Sequence, residues 1–188
     1  VLGDGMIGQM MEPVTFAEPK ERELPTKEWA TVGTKGKRAP NVINSLRLDP
    51  AELEKLNQRL QARYREVEVR EVRHEAYRCQ DAEIVFVSYG TSSRIVRNAV
   101  EDLRKEGIAA GLLRPITLWP FPYGAFDALP ERTRALFAVE MSEGQMIDDV
   151  RIASNGRWPV GFHGRSGGMI PAKSDIMEAA TRFLQEAR

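Results

Sequence analysis

Residues 82–107 have the sequence AEIVFVSYGTSSRIVRNAVEDLRKEG, which predicts a strand, a tight turn and an amphipathic helix in succession. The run 83–89 is apolar, β-branched and aromatic, as in a strand that is buried on both faces. Gly90 permits a sharp exit from the strand, and Thr91 and Ser92 are hydroxyl residues of the type that caps helices. Apolar residues then recur at helical spacing until a closing glycine. The segment is half of a βαβ unit.

The remainder of the C-terminal half repeats this alternation. Strand candidates are residues 108–113, 135–139 and 158–162, and helical candidates are residues 121–129, 145–154 and a last helix capped by Ser174. Pro159 favours an edge position or a strand start for the last strand. Short apolar strands that alternate with helices predict a three-layer α/β fold. We expect a mostly parallel, twisted sheet of four to five strands with helices on both faces.

The N-terminal half is organised differently. Residues 1–48 lack periodicity and are rich in Pro and Gly, which predicts an irregular arm or linker. Asp49, Pro50 and Glu52 form a helix start of the capping-box type. The long helix that follows, residues 49–72, has a narrow apolar stripe and a charged remainder. It is therefore expected on a surface or against a partner.

Composition limits the classes of function. Lys plus Arg equals Asp plus Glu, 27 each, so no net field attracts nucleic acid or an anionic membrane. No apolar run reaches the roughly 20 residues that cross a bilayer, and a cytoplasmic location is the expectation. Cys79 is the single cysteine, which excludes an internal disulfide and an iron–sulfur cluster held by this chain alone. The sequence starts at Val1 without Met, which favours a trimmed chain.

Four loops follow the predicted strands and are expected to meet at one edge of the sheet, where α/β proteins place their ligands. The binding or interface candidates in these loops are Gly90, Thr91, Ser92, Arg114, Trp119, Phe121, Glu140, Gln145, His163 and Arg165. None of them is assigned a catalytic role, and no metal site is predicted, because the two His residues and the cysteine lack metal-ligand spacing.

Two of these loops have alternative interpretations. Thr91 and Ser92 with nearby backbone N–H groups are able to hold an anion, but simple helix capping is favoured. Trp119 and Phe121 lie between prolines and form a rigid apolar knob. This knob either covers the domain's own core or anchors a partner, and the sequence favours the two roles equally.

The polar candidates of the other two loops favour structural roles. Glu140 ends a buried strand and is either a catalytic carboxylate or a buried partner of Arg114 or Arg165, and the ion pair is favoured. His163 is the best-placed titratable group, but no nucleophile accompanies it. The glycine-rich loop around Arg165 matches no phosphate-loop pattern.

Four motifs resemble one family, the α subunits of 2-oxoacid:ferredoxin oxidoreductases, and most closely the 2-oxoisovalerate (3-methyl-2-oxobutanoate) branch. They are DGMIGQMMEPV at 4–14, LRPITLWPFP at 113–122, VEMSEGQM at 139–146 and GFHGRSGGMIP at 161–171. The resemblance covers nearly the whole chain. It implies that the chain is the C-terminal portion of such a subunit.

The resemblance also implies a domain plan. Residues 1–48 would be the remnant of a pyrimidine-binding domain, whose last strand and exit are residues 1–14, followed by the linker arm. Residues 49–72 would connect it to a transketolase C-terminal-like domain, residues 73–188. That domain has a five-stranded mixed sheet in this family, so an extra, antiparallel strand is expected from residues 67–73.

The reaction implied by the resemblance is oxidative decarboxylation of a 2-oxoacid with coenzyme A, giving acyl-CoA, CO₂ and reduced ferredoxin. Thiamine diphosphate, Mg²⁺, iron–sulfur clusters and coenzyme A serve the full complex, and none is expected on this chain alone. The partners would be a thiamine-binding β subunit, a ferredoxin-like subunit and ferredoxin as electron acceptor. Gly3-Asp4-Gly5 looks like a thiamine motif, but its Asn is missing at the required distance, so Asp4 is interpreted as a turn residue.

The segment itself would serve subunit assembly, border the active-site entrance and be inactive alone. The methionine-rich segment 6–11 would favour self-association. Two other hypotheses remain: a stand-alone α/β module that binds an anion at 90–93 and Arg165, and the equivalent domain of a dehydrogenase E1 β chain or transketolase.

Overall fold

The structure is a computed structural model that describes residue 3 and residues 5–187. It divides into two compact units, one formed by residues 11–63 and the other by residues up to 10 together with residues from 64 onward. The predicted boundaries at 48 and 72 stay a prediction. Asp4 and the start of the expected strand at 1–14 lie outside the described residues.

The smaller unit is irregular until helix α2 begins. Its loop is held by the Arg38 guanidinium, which donates to the Ala30 carbonyl at 2.8 Å, and by the Asn41 amide, which donates to the Glu28 carbonyl at 2.7 Å. Helix α2 runs over Pro50–Arg70, and Asp49 Oδ1 accepts from the Glu52 N–H at 3.0 Å. The expected long helix and Asp49 cap are confirmed. The irregular arm is confirmed for residues 11–48, whereas Gly5–Gln9 within its predicted range is a short helix.

The larger unit contains a five-stranded sheet. A short helix α1, Gly5–Gln9, precedes it; the strands and helices are β1 His74–Tyr77, β2 Ile84–Ser88, α3 Gly90–Lys105, β3 Ala110–Pro115, a 3₁₀ turn Tyr123–Ala128, β4 Ala135–Glu140, α4 Met146–Ser154, β5 Val160–Gly164 and α5 Lys173–Glu186. The strand order is β1-β3-β2-β4-β5. All neighbours are parallel except β1 and β3, so the mostly parallel sheet is confirmed.

Each face of the sheet packs on its own group of helices. On one face Phe86 and Phe137 pack with residues of α3 and α5, such as Val96 and Ile176. On the other face Val85, Val87, Leu136 and Ala138 pack with α4 and the 3₁₀ turn. This arrangement confirms the three-layer fold, because a sheet with two apolar faces needs helices on both.

Two local predictions are wrong. The antiparallel strand is not at 67–73, because α2 continues through Arg70, and Glu66 pairs with Arg70 across one helical turn. The strand begins later, at His74. Ser174 does not cap the last helix, since α5 begins at Lys173 and the Ser174 hydroxyl donates to Asp175 Oδ1 at 3.1 Å.

Pro159 immediately precedes β5, which is an edge strand, as predicted. Among the described residues, no helix is both long enough and apolar enough to cross a membrane.

Candidate functional site

A cavity of about 830 Å³ opens where β2 and β3 end. Five of the predicted site residues line it, namely Gly90, Thr91, Ser92, Arg114 and Trp119. The wall also includes Ile7, Tyr89, Ile116, Leu118 and Met141. The loops after β2, β3 and β4 therefore meet at one edge, because the carboxyl ends of parallel strands lie side by side.

The start of α3 forms one wall of this cavity. Tyr89 is the extended residue before the helix, and Gly90 has φ 58°, a conformation that favours glycine. The expectation that the hydroxyls cap the helix is wrong, because the residues lie inside its first turn. Ser92 Oγ donates back to the Tyr89 carbonyl at 2.9 Å, and Ser93 Oγ donates to the Gly90 carbonyl at 2.7 Å.

Arg114 lies on the opposite wall and is held by a carboxylate that sequence analysis missed. Its Nη1 donates to Glu75 Oε2 at 2.9 Å, while Arg97 Nη1 donates to Glu75 Oε1, also at 2.9 Å. The hydrogen bond from Arg114 is the main reason why the pKa of Glu75 lies below its usual value. Glu75 is the antiparallel register partner of Arg114 in β1. A correct prediction of β1 from the sequence would have placed Glu75 opposite Arg114.

A second set of contacts continues from Arg97 along the outer face of α3. The Arg97 guanidinium lies 3.9 Å from the centre of the Tyr77 ring, within cation–π range. The Tyr77 hydroxyl donates to Glu101 Oε1 at 2.5 Å. These contacts fix β1 against α3, and thereby fix the carboxylate that holds Arg114.

Glu140 is fully buried at the end of β4 and has a different partner from the one expected. Its oxygens accept hydrogen bonds from the backbone N–H groups of Met146 and Ile147, both at 2.9 Å, and from Ser142 Oγ at 3.1 Å. The favoured ion pair is wrong. The loop after β4 folds back and directs the first N–H groups of α4 at the carboxylate, which thereby caps the helix.

The remaining candidates at this edge lie away from the cavity wall described above. Gln145 is exposed and offers its backbone N–H to Glu140 at 3.2 Å. Arg165 Nη1 lies 3.9 Å from Asp175 Oδ2. His163 Nε2 is buried without a hydrogen-bond partner among the described residues, and burial lowers the pKa of this imidazole.

The apolar knob has two different halves. Phe121 is buried and packs against Phe126 with ring centres 5.9 Å apart. Trp119 is 57% exposed, and its ring meets the Tyr64 ring edge-on at 5.6 Å. Phe121 thus belongs to the core, whereas Trp119 is available at the rim of the cavity.

Comparison with known proteins decides the family. Residues 82–176, about half of the chain, match the family model of the pyruvate:ferredoxin oxidoreductase core domain II. The chain belongs to this family. Core domain II here includes β2 to β5 and the cavity wall from Tyr89 to Met141.

Curated relatives extend the match of this core domain II protein beyond the family model. The ketoisovalerate oxidoreductase subunit VorB of Methanothermobacter thermautotrophicus is 45% identical over 95% of the chain, which covers 50% of VorB. VorB of Methanothermobacter marburgensis is 44% identical over 100% of the chain and 53% of the relative. The 2-oxoglutarate synthase subunit KorA of M. marburgensis is 38% identical over 52% of the chain and 26% of KorA. The chain spans about half the length of the VorB relatives. The resemblance inferred from the motifs is confirmed.

Solved structures support the fold. The 2-oxoglutarate:ferredoxin oxidoreductase from Magnetococcus marinus, with 2-oxoglutarate, coenzyme A and succinyl-CoA bound, superposes with TM-score 0.62 at 20% identity, over 74% of this chain and 24% of that one. A split-gene transketolase, an inactive β4 tetramer, gives TM-score 0.52 at 19% identity over 62% and 42% of the two chains. The transketolase C-terminal-like architecture is confirmed.

The donor groups of this core domain II protein do not fit the metal groups of the family's reaction. Within residue 3 and residues 5–187, no three His, Cys, Asp or Glu side chains come together as metal ligands. A cluster of the [4Fe–4S] type takes four thiolates, and the chain has only Cys79, which is buried. No step of the reaction is therefore assigned to a metal ion or cluster bound by this chain.

Proposed function

We propose that this chain is the C-terminal part of the α subunit of a 2-oxoacid:ferredoxin oxidoreductase of the branched-chain branch. The reaction is oxidative decarboxylation of a 2-oxoacid with coenzyme A to acyl-CoA, CO₂ and reduced ferredoxin. The observation that carries this proposal is the 44–45% identity to two ketoisovalerate oxidoreductase subunits over 95–100% of the chain.

Within that enzyme the segment serves subunit assembly and borders the active-site entrance. Exposed apolar side chains at the rim of the cavity support this role: Trp119 is 57% exposed and Ile116 is 52% exposed. Large apolar side chains that stay exposed at the rim of a cavity are typical of a surface that a partner covers. Of the predicted site residues, five line this cavity and are assigned to this role: Gly90, Thr91, Ser92, Arg114 and Trp119.

Thiamine diphosphate, Mg²⁺ and the iron–sulfur clusters are assigned to the partner subunits, a thiamine-binding β subunit and a ferredoxin-like subunit. For Mg²⁺ and the clusters, the lack of fit with the donor groups of the described residues supports this division. Coenzyme A is the proposed acyl acceptor, and the structure of the Magnetococcus enzyme has coenzyme A bound. Ferredoxin accepts the electrons in the cytoplasm. Self-association through residues 6–11 remains a prediction.

The other hypotheses are not favoured. A stand-alone anion-binding module has no support in the comparisons, because the curated relatives are named as oxidoreductase and synthase subunits. The likeness to transketolase is at 19% identity and concerns the fold alone.

Reconstitution tests the proposal. The chain is co-expressed with the segment that completes the VorB length and with the two partner subunits. Coenzyme-A-dependent reduction of methyl viologen is then measured with 3-methyl-2-oxobutanoate, pyruvate and 2-oxoglutarate. We expect reduction only in the complete set, with 3-methyl-2-oxobutanoate the preferred substrate. Equal reduction when this chain is omitted would refute the proposed function.

Matched isoleucine variants test the assembly role. Ile116→Asp places a charge at the rim of the cavity, whereas Ile152→Asp changes an isoleucine of α4 that is 65% exposed. Burial of an unpaired charge in an interface costs several kcal/mol, so Ile116→Asp should weaken co-elution with the partner subunits by about tenfold or more. Co-elution should persist in Ile152→Asp. The opposite ranking would place the assembly surface on the α4 side.

A further inference from the structure

The cavity beside Arg114 combines a cationic wall with an apolar wall. The cationic part is Arg114, which also lines an adjoining cavity of about 340 Å³ together with Arg94 and Arg97. The apolar part consists of Ile7, Ile116, Leu118, Trp119 and Met141. A pocket with one charged anchor, a few hydroxyl groups and a mostly apolar lining is the usual form of a site for a small organic molecule.

The guanidinium of Arg114 is incompletely bonded. Nη1 is taken by Glu75, and Nε is buried without an acceptor in the described part of the chain. No described residue accepts a hydrogen bond from Nη2, and the side chain is 42% exposed. A buried unsatisfied donor costs about 1–3 kcal/mol and usually marks a place that a ligand, ion or water completes.

The local charge selects the kind of anion. Glu75 is shared between Arg97 and Arg114, so this group of three side chains carries one net positive charge. One positive charge next to an apolar wall is matched by a ligand with one negative charge and an apolar body. A guanidinium recognises carboxylate and phosphate alike. Because Arg114 is the one charged residue among the described residues that line the larger cavity, whereas Arg94 and Arg97 line only the adjoining one, the apolar wall and the single charge favour a monocarboxylate.

Glu75 acts as a positioning residue in this arrangement. It fixes Nη1 of Arg114 from the neighbouring antiparallel strand, and the stacking of Arg97 on Tyr77 fixes Glu75 in turn. The guanidinium is thus oriented before a ligand arrives. Preorganisation of this kind reduces the entropy that binding loses.

We propose that the cavity lined by Arg114, Thr91, Trp119 and Met141 binds a monocarboxylate with a short apolar chain. The carboxylate contacts Arg114, and the apolar chain lies against Ile116, Leu118 and Trp119. The identification of this ligand with the branched 2-oxoacid rests on the proposed function. The existence of the site does not.

Calorimetric titration of the 188-residue chain tests the site without partner subunits. The probes are 3-methyl-2-oxobutanoate, isobutyrate, the neutral ketone 3-methyl-2-butanone, inorganic phosphate and coenzyme A. We expect saturable binding of the two carboxylates and binding of the neutral ketone that is at least about tenfold weaker, as expected for loss of a charge-assisted hydrogen bond. Tighter binding of phosphate or coenzyme A, or binding of no probe, would overturn the carboxylate assignment.

Two arginine variants provide a matched comparison. Arg114→Gln removes the anchor, and Arg134→Gln changes an arginine of similar exposure, 40%, that pairs with Glu83 at the other end of the sheet. We expect the Kd of 3-methyl-2-oxobutanoate to rise about tenfold or more in Arg114→Gln and to change less than about twofold in Arg134→Gln. Equal affinity in both variants would place the ligand elsewhere.

Glu75→Gln tests the positioning role. It raises the net charge of the group from one to two, which favours an anion, but it also releases the guanidinium of Arg114 from its ionised partner. A positioning role therefore predicts a less favourable binding entropy, measured in the same titration. An unchanged binding entropy would show that Glu75 only stabilises the fold. If the chain binds carboxylates but fails the reconstitution assay, the proposed site stands and the proposed function is refuted. If the reconstituted enzyme is active but the chain binds no carboxylate, the function stands and the site is refuted.

Discussion

The Glu140 carboxylate lies 2.9 Å from the backbone nitrogen of Ile147, although the two residues belong to different elements of the fold. The same carboxylate accepts hydrogen bonds from Gln145 and Met146, so three consecutive N–H groups at the start of α4 converge on one buried charge. This relationship turns the loop after β4 into a fixed wall beside the cavity. It also explains how a fully buried carboxylate is tolerated without an arginine.

Replacement of Glu140 by alanine should be strongly destabilising. The change removes the acceptor of several backbone N–H groups that stay buried, and unsatisfied donors of this kind cost about 1–3 kcal/mol each. We expect Glu140→Ala to lower the free energy of unfolding by about 3 kcal/mol, measured by urea denaturation. Glu131→Ala, at an exposed carboxylate, is the control and should change it by less than about 0.5 kcal/mol. Similar losses in the two variants would contradict the capping role.

The sequence predicted the strands and helices whose formation depends on neighbouring residues. The strand around Phe86 and the helix after it were evident, since an apolar run and a helical stripe are properties of neighbouring residues. The edge position of β5 followed from Pro159, because proline lacks the N–H that a central strand needs. The approach of the loops after β2, β3 and β4 followed from the parallel topology.

The side-chain partners at the site could not be predicted in the same way. The pairing of Arg114 with Glu75 depends on a two-strand register between residues 39 positions apart. The capping of α4 by Glu140 depends on the path of a loop. The sequence suggested two cations for Glu140, Arg114 and Arg165, but every residue except proline has a backbone N–H group, so the residue types give no indication of this kind of partner.

Gly111 should be intolerant of a side chain. A Cβ atom there would lie 2.8 Å from the Arg78 carbonyl oxygen and 3.1 Å from Cys79 Cα, and neither backbone atom can move without displacing the segment that enters β2. Such overpacking costs about 1–3 kcal/mol, so Gly111→Ala should lower the urea midpoint accordingly. Gly124 has no atom within 4 Å of the equivalent position. Gly124→Ala should therefore leave the midpoint nearly unchanged, and an equal effect of both variants would refute the predicted collision.

Cys79 should resist alkylation and should make stability depend on pH in the alkaline range. Burial raises the pKa of this thiol from 9.0 to about 11. The unfolded chain ionises first, so the stabilising contribution is complete below pH 9 and is lost as the pH rises from about 9 to about 11. The difference in unfolding free energy between wild type and Cys79→Ala should decrease across that window.

The thiol should also react with iodoacetamide at pH 8 far more slowly in the folded chain than in urea. Rapid alkylation of the folded chain would show that Cys79 is accessible. A difference between wild type and Cys79→Ala that stays constant between pH 9 and 11 would exclude the raised pKa.

Asp102 should make stability depend on pH in the acidic range. Its carboxylate contacts Lys105 in α3 and Lys173 at the start of α5, and the hydrogen bond from Lys105 is the main cause that lowers the pKa of Asp102 from 3.8 to about 2. A carboxyl group with a lowered pKa stabilises the folded state at pH values above the pKa of the unfolded state, so the contribution is complete above about pH 4 and is lost as the pH falls towards 2.

Asp102→Asn should have a flatter stability profile than wild type in this window, measured by thermal unfolding from pH 2 to 6. Salt should reduce the difference, because the side chains involved are partly exposed. Glu131→Gln serves as the control and should follow the wild-type profile; if Asp102→Asn followed it as well, the link between α3 and α5 through Asp102 would be absent in solution.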